Sequence, residues 1–431
     1  MRKISLYTSV FSILLSVVGF SQIETGKKTV QTLCSPEFHG RGYVNGGDSI
    51  AAEYIAQQFK EIGCSFFKNT PFQAYDFTVN TFPNRMDVSM DGKKLIPGSQ
   101  FVVDPGSGGG IVENRTVLKV NTADLFDGKD LKNKISETAA KAGSRSKISL
   151  ALLFPFHTWK GDTLKKAREV AASFQSTFDV ITTTSTKFTW SVDQEQMKHV
   201  RIEIQADQID WNKESWTIDY TIDAKLKSHT ARNVIAYIPA KKKSKKYFVF
   251  TAHYDHLGRM GKDTYFPGGN DNASGTAMLL EMARYYKLNP AKVNIVFIAF
   301  SGEEAGLLGS RYYTENPVFD LAKIQFLFNI DIMGSGEDGT TIVNATIFPE
   351  QFTAIQKINE EKKYLVKIGS RGKAANSDHY FFSEKGVPAF FMYTAGPNKH
   401  YHDVYDTYEE LSFAEFKDIY SLLIDFQKSF K

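Results

Sequence analysis

The sequence has 431 residues, with 52 Lys and Arg against 48 Asp and Glu and a formal net charge of +4. That near balance argues against nucleic acid as the main partner, and the length exceeds one small core and leaves room for two domains. Only two cysteines occur, Cys34 and Cys64; with no C-x-x-C spacing they argue against a Cys-ligated zinc site, and they read equally as one disulfide or two buried thiols.

The N-terminus reads as a secretory signal over residues 1–21. Arg2 and Lys3 precede an apolar stretch from Leu6 to Phe20, shorter than the roughly 20 residues a spanning helix needs, and Gly19 and Ser21 suit a cleavage site. No cysteine lies near that site, so the expected destination is secreted or periplasmic, without a lipid anchor and with no membrane attachment after cleavage. Asp48 to Ile62 reads as a helix capped by Asp48 or Ser49, with Ile50, Tyr54, Ile55, Phe59 and Ile62 on one face and Gly63 ending it.

From Thr78 to about Ser228 the texture changes to short β-rich runs: Thr116–Val120, Lys147–Phe154, Phe178–Thr184, Arg201–Gln205 and Thr217–Ala224. Helical stretches near Ser136–Ala142 and Leu164–Phe174 interrupt them. This reads as an inserted module rather than part of an alternating β/α unit. The run KKKSKK at 241–246 reads as a solvated hairpin tip between two strands.

From Asn233 onward the chain alternates. Predicted strands are Asn233–Ile238, Tyr247–Ala252, Val293–Phe300, Ile324–Ile330 and Val387–Tyr393; predicted helices are Ser274–Lys287, Glu304–Tyr313, Pro349–Lys363 and Ser412–Phe430. Continuous apolar strands separated by helices predict an α/β fold, with a mixed, mostly parallel central sheet buried on both faces.

The strands end in chemistry. FTAHYDHLG at 250–258 runs an apolar strand into His253, Asp255 and His256, and GGNDNASG, FSGEEAG, FNIDIMG and KHYHDVYDT follow downstream. In open α/β sheets ligands sit beyond the carboxyl ends of the strands. Each residue also has a plain structural use: His253 and His256 as satisfied strand-end residues, Asp271 as a helix N-cap, Ser301 and Glu304 as a capping box, Asp331 as a turn residue, His402 as a surface histidine. Jointly those uses leave unexplained why imidazoles and carboxylates gather at successive strand ends. Residues two apart on extended chain point the same way, so Asp255 is expected to hold the free ring nitrogen of His253. Adjacent Glu303 and Glu304 suit a division of labour, one binding metal and one accepting a proton from metal-activated water.

The strings AHYDH, NDNASG, FSGEEAG, FNIDIMG and YHDVYDT, with LCSPEFHGRG near the N-terminus, resemble the M28 family of co-catalytic zinc aminopeptidases. The resemblance covers roughly 22–77 and 229–431 and implies a zinc exopeptidase-like fold with residues 78–228 as a β-rich insertion. It implies two zinc ions, one on His253 and Asp331, the other on Glu304 and His402, with Asp271 bridging. It further implies Glu303 as general base and later acid, Tyr401 as a hydrogen-bond donor to the oxyanion, and peptides cleaved at their N-terminal bond. His400 competes with His402 for the ligand role, and Asp403 stands where the family more often has Thr or Ser. Asn376–His379 resembles a further family string, with no metal role assigned to Asp378 or His379. The stretch KISETAAKAGSRSKISLALLF resembles a diverged protease-associated domain that lacks its usual Gly-Lys-Ile opening.

Other functions fit less well. GSGEDG at 334–339 matches GxGxxG, but the β-branched Thr340–Val343 follows where a dinucleotide site needs a helix. Neither G-x-S-x-G nor H-E-x-x-H occurs. The same scaffold also supports a one-zinc glutaminyl cyclase-type acyltransferase, carboxypeptidase or dipeptidase specificity, and binding modules that have lost the ligands.

Overall fold

A computed structural model describes residues 23–141 and 150–430. The expected signal segment lies outside the described residues, as does the middle of the protease-associated-like string.

The described chain builds two eight-stranded sheets. The first orders its strands Phe72–Thr81, Lys225–Ile238, Asn294–Phe300, Tyr247–His253, Ile324–Asp331, Ala389–Thr394, Thr340–Val343 and Ile368–Ser370. The four from Asn294–Phe300 to Ala389–Thr394 run parallel, and antiparallel partners flank them. Tyr247–His253 sends Phe248, Phe250 and Ala252 into one core with helices 23–33, Gly47–Ile62, Gly275–Leu288 and Phe416–Lys428. Val249 points to the opposite core, under helices Leu308–Glu315 and His379–Glu384. Burial of both faces is why these strands read as unbroken apolar runs.

Several expectations change. The helix Gly47–Ile62 starts after Gly46, at φ +68°, with no side-chain cap; Asp48 is buried instead and lies 2.6 Å from His229 Nε2. Ala51, Ala52, Ile55, Ala56 and Phe59 form its inward face, which leaves Ile50 exposed at the edge of the stripe. The helix expected from Glu304 begins at Leu308, because Gly302 and Gly306, at φ +66° and +106°, turn the chain between them, and no Ser301 capping box forms. The lysine run is exposed but is no hairpin tip: Asn294–Phe300 lies between the strands on either side of it, so the connection is a crossover. The cysteines are free thiols, Cys34 buried and Cys64 half-buried.

The second sheet orders Lys93–Lys94, Met86–Met90, Trp216–Ile222, Gly110–Lys119, Leu150–Phe154, Asp179–Thr184, Arg201–Gln205 and Phe101–Val103. Here too the sequence reading is corrected. Gly110–Lys119, Leu150–Phe154, Asp179–Thr184 and Arg201–Gln205 run parallel, with helices Gly128–Lys141 and Gly161–Phe174 between the first three. This is an alternating unit, hidden in the sequence because its lysine-rich first helix turns only Leu131, Ile135 and Ala139 inward. Leu150, Leu152 and Phe154 pack under those helices, whereas Ala151 and Leu153 join a core that includes Leu257, Met260 and Phe266. The chain leaves and re-enters the first sheet on paired antiparallel strands, from Phe72 opposite Val234 to Thr81 opposite Lys225. Among the described residues no helix is long and apolar enough to cross a membrane.

Candidate metal centre

His253 and Asp331 end two adjacent parallel strands, and Glu303 and Glu304 occupy the turn after a third. Asp271 sits in the loop that opens helix Gly275–Leu288, and His402 in the loop beyond Ala389–Thr394. All lie at the carboxyl edge of the parallel strands, where such sheets place their ligands.

Asp271 stands in the middle. Its Oδ1 is 3.3 Å from His253 Nε2 and its Oδ2 is 3.1 Å from His402 Nε2. On the outer sides, Asp331 Oδ2 lies 3.3 Å from His253 Nε2, and Glu304 Oε2 lies 3.1 Å from His402 Nε2. Ligand atoms of His253, Asp271 and Glu304 all fall within 4.8 Å of one another. Neighbouring ligands on a tetrahedral zinc at 2.0–2.1 Å are about 3.3 Å apart, so the spacing in both halves fits a small divalent cation. Asp331 Oδ1 is also buried without a hydrogen-bond partner.

The ring tautomers suit ligation. His402 Nδ1 lies 2.8 Å from the carbonyl of Trp190, and His253 Nδ1 lies 3.2 Å from the carbonyl of Asp255. A carbonyl only accepts, so each Nδ1 carries its hydrogen and each Nε2 faces the carboxylates. The expected role of the Asp255 side chain is therefore corrected: its carboxylate is 3.9 Å from His253 Nδ1. It instead accepts from Tyr43 Oη at 2.8 Å and from the main-chain N–H groups of Glu303 and Glu304 at 3.2 and 3.3 Å, pinning the glutamate turn.

Electrostatics shows a centre short of positive charge. Burial works against ionising Asp271, but the bonds from His253 and His402 overcome it and hold its carboxyl well below the usual range. Burial alone would lower His402; Glu304 and Asp271 raise it to about 11. Three carboxylates thus draw protons onto two imidazoles, and cations would take the place of those protons. Glu303 is pushed well above the usual carboxylate range by burial and by Glu304, Asp378 and Asp331, against the pull of His253.

The supporting frame leaves little trace in the sequence. Arg41 is fully buried and donates to the carbonyls of Tyr254, Leu33, Pro267 and Gly268 at 2.8, 2.9, 2.6 and 2.7 Å. It ties the loop after His253 to the loop before Asp271. Asp406 accepts from the N–H groups of Asn270 and Asp271, both at 3.0 Å. Asn272 reaches across to the Ile330 carbonyl at 3.2 Å and accepts from Ile332 N–H at 3.3 Å, coupling Asp271 to Asp331. Only the HGRG string hints at Arg41. His256, a strand-end residue on the sequence alone, donates from Nδ1 to Glu304 Oε1 at 2.8 Å.

His402, not His400, reaches the cluster; His400 Nδ1 lies 3.3 Å from Asp403 instead. The Asp403 carboxylate is buried and also pairs with Lys187 at 3.4 Å. Tyr401 is half-exposed and stacks on the His402 ring, centroids 3.8 Å apart. It lines a cavity of about 300 Å³ beside Asp271 together with Ser335, Thr394, Asn398 and Lys399. Asp378 and His379 are buried; burial raises Asp378 to about 7. GSGEDG leads into the strand Thr340–Val343, so no helix follows it.

The peptidase family M28 model matches residues 233–427, the stretch that carries every strand-end residue of the cluster. Over that stretch, somewhat less than half of the chain, the protein is similar to peptidase family M28. The chain is also similar to the aminopeptidase YwaD of Bacillus subtilis (strain 168), at 32% identity over 200 residues, 43% of this chain and 41% of that one. The match therefore spans less than half the length of that curated relative. Among solved structures, a zinc aminopeptidase from Bacillus subtilis aligns over 93% of this chain and 94% of its own, with a TM-score of 0.64 and 19% identity. A peptidase M28 precursor from Shewanella amazonensis SB2B aligns over 95% of both chains, with a TM-score of 0.64 and 15% identity. At these identities the two structures speak for a shared fold.

Proposed function

We propose that the protein is a zinc-dependent aminopeptidase that hydrolyses the N-terminal bond of peptides. The observation that carries this reading is the Asp271 carboxylate held between two imidazoles, with one further carboxylate on the far side of each. His253 and Asp331 would hold one ion, Glu304 and His402 a second, and Asp271 both. An imidazole and carboxylate set suits zinc, and the Bacillus subtilis protein that shares this fold is a zinc aminopeptidase. Zinc bound there supplies a Lewis acid and lowers the pKa of a coordinated water.

The remaining work falls to the chain. Among the described residues no hydrogen bond reaches the Glu303 carboxylate, and burial together with the surrounding acids raises its affinity for a proton. It takes the proton of the attacking water and returns it to the leaving amine. Tyr401 lines the cavity beside Asp271, where its phenol donates to the developing oxyanion. The cavity admits the terminal residue of a peptide. Residues 78–228 are read as an inserted protease-associated-like module that narrows access, and the chain is read as secreted or periplasmic. Glu303→Gln keeps the shape but removes the base. Turnover of aminoacyl fluorogenic substrates is expected to fall by about 10²-fold or more with zinc content unchanged; full activity in that variant would remove Glu303 from the base role.

A further inference from the structure

The long connection between strands Asp179–Thr184 and Arg201–Gln205 leaves the second sheet and crosses to the metal centre. Trp190 exchanges two main-chain bonds with His402: its carbonyl accepts from Nδ1 at 2.8 Å, and its N–H donates to the His402 carbonyl at 2.9 Å. Lys187 donates to the Tyr401 carbonyl and pairs with Asp403 at 3.4 Å. Gln194 Nε2 donates to the carbonyl of Ala305, next to Glu304, at 2.9 Å. The connection is itself anchored to the second sheet and its surroundings. The Trp190 indole N–H donates to the Val103 carbonyl at 2.6 Å, and its ring stacks on Phe266 with centroids 4.7 Å apart.

These contacts are one-sided. They fall on the loop of His402 and on the turn of Glu304. Among the described residues, none of the hydrogen bonds from 185–200 reaches His253 or Asp331, whose neighbours all come from the first sheet and its loops. His402 also sits at φ +59°, a conformation that non-glycine residues seldom hold without outside support. The main-chain bonds from Trp190 fix both that backbone and the ring tautomer.

We infer that the second sheet, through Lys187, Trp190 and Gln194, positions the Glu304–His402 half of the metal centre and sets the affinity of that half alone. Asp403 then has a defined use: it anchors the His402 loop to Lys187. This inference rests on the two-ion reading above. Groups that orient metal ligands typically change affinity 10–100-fold when removed.

The test is titration of the metal-free full-length protein with Co²⁺, followed by visible absorption and metal analysis, with cobalt-edge anomalous diffraction to locate each ion. Trp190→Ala keeps the main-chain bonds to His402 but removes the indole anchor on Val103 and Phe266 that holds them in place, so one binding step is expected to weaken 10–100-fold and the other to stay within about twofold. Anomalous signal should fall at Glu304 and His402 and persist at His253 and Asp331. Lys187→Met combined with Gln194→Leu, at positions less central to the fold, should produce the same asymmetry and serves if Trp190→Ala does not fold. Equal weakening of both steps, or no change in either, overturns the inference and leaves the two-ion reading standing. A native protein that binds one Co²⁺ overturns that reading, and the inference with it.

Discussion

Replacing Arg41 by Met tests how the centre is held. The side chain is fully buried, and its four bonds of 2.6–2.9 Å all end on main-chain carbonyls. Methionine fills similar volume and donates nothing. Four buried carbonyls would lose a charged partner, each worth about 1–3 kcal/mol, so even the lower bound sums to about 4 kcal/mol. With an unfolding entropy of about 2.1 cal/mol/K per residue over a chain of this size, that loss lowers the melting midpoint by about 4 °C. The assay is thermal unfolding by circular dichroism in chelator, which removes any contribution from bound metal. Arg41→Lys should recover less than half the loss, since one ammonium cannot span carbonyls on both loops. A drop below about 1 °C in Arg41→Met would refute the reasoning.

Asp255→Asn turns an amide NH₂ either towards the N–H of Glu303 or towards the N–H of Glu304 and the Tyr43 hydroxyl; kcat is expected to fall at least tenfold with the melting midpoint nearly unchanged, and an unaltered kcat would deny that this carboxylate pins the turn. Burial pushes Glu281 up to about 7 from 4.5, against the pull of Arg284. The folded state therefore holds that proton more tightly than the unfolded chain, so the contribution is fully present below 4.5 and is lost as pH rises towards about 7. Glu281→Gln should accordingly raise the urea midpoint relative to the native protein at pH 8 but not at pH 4.5; a larger gain at the acid end would contradict the assignment.

Much of the first sheet was legible because its strands are buried on both faces and so read as unbroken apolar runs, as in Phe248–Ala252 and Ile295–Phe300. The strand-end residues were legible because imidazole and carboxylate are out of place beside such runs. What escaped depends on long-range pairing. Phe72–Thr81 is half-exposed along much of its length and gains its place only by pairing with Lys225–Val234. The α/β character of the second sheet was masked by helices whose polar faces dominate their composition. The hairpin read at 241–246 failed because sheet order is not written in strand order. Asp255 lies beside His253 as the spacing implies, yet its carboxylate serves the glutamate turn, and it is the Asp255 main-chain carbonyl, not the side chain, that faces the ring. Arg41 and Trp190 act on main-chain atoms far away in sequence, so nothing local marks them.

The most direct test of the metal centre is zinc-edge anomalous diffraction from crystals grown with zinc. Two peaks are predicted, one touching His253 and Asp331, the other touching Glu304 and His402, with an oxygen of Asp271 on each. A single peak, or two peaks that do not share Asp271, would contradict the account.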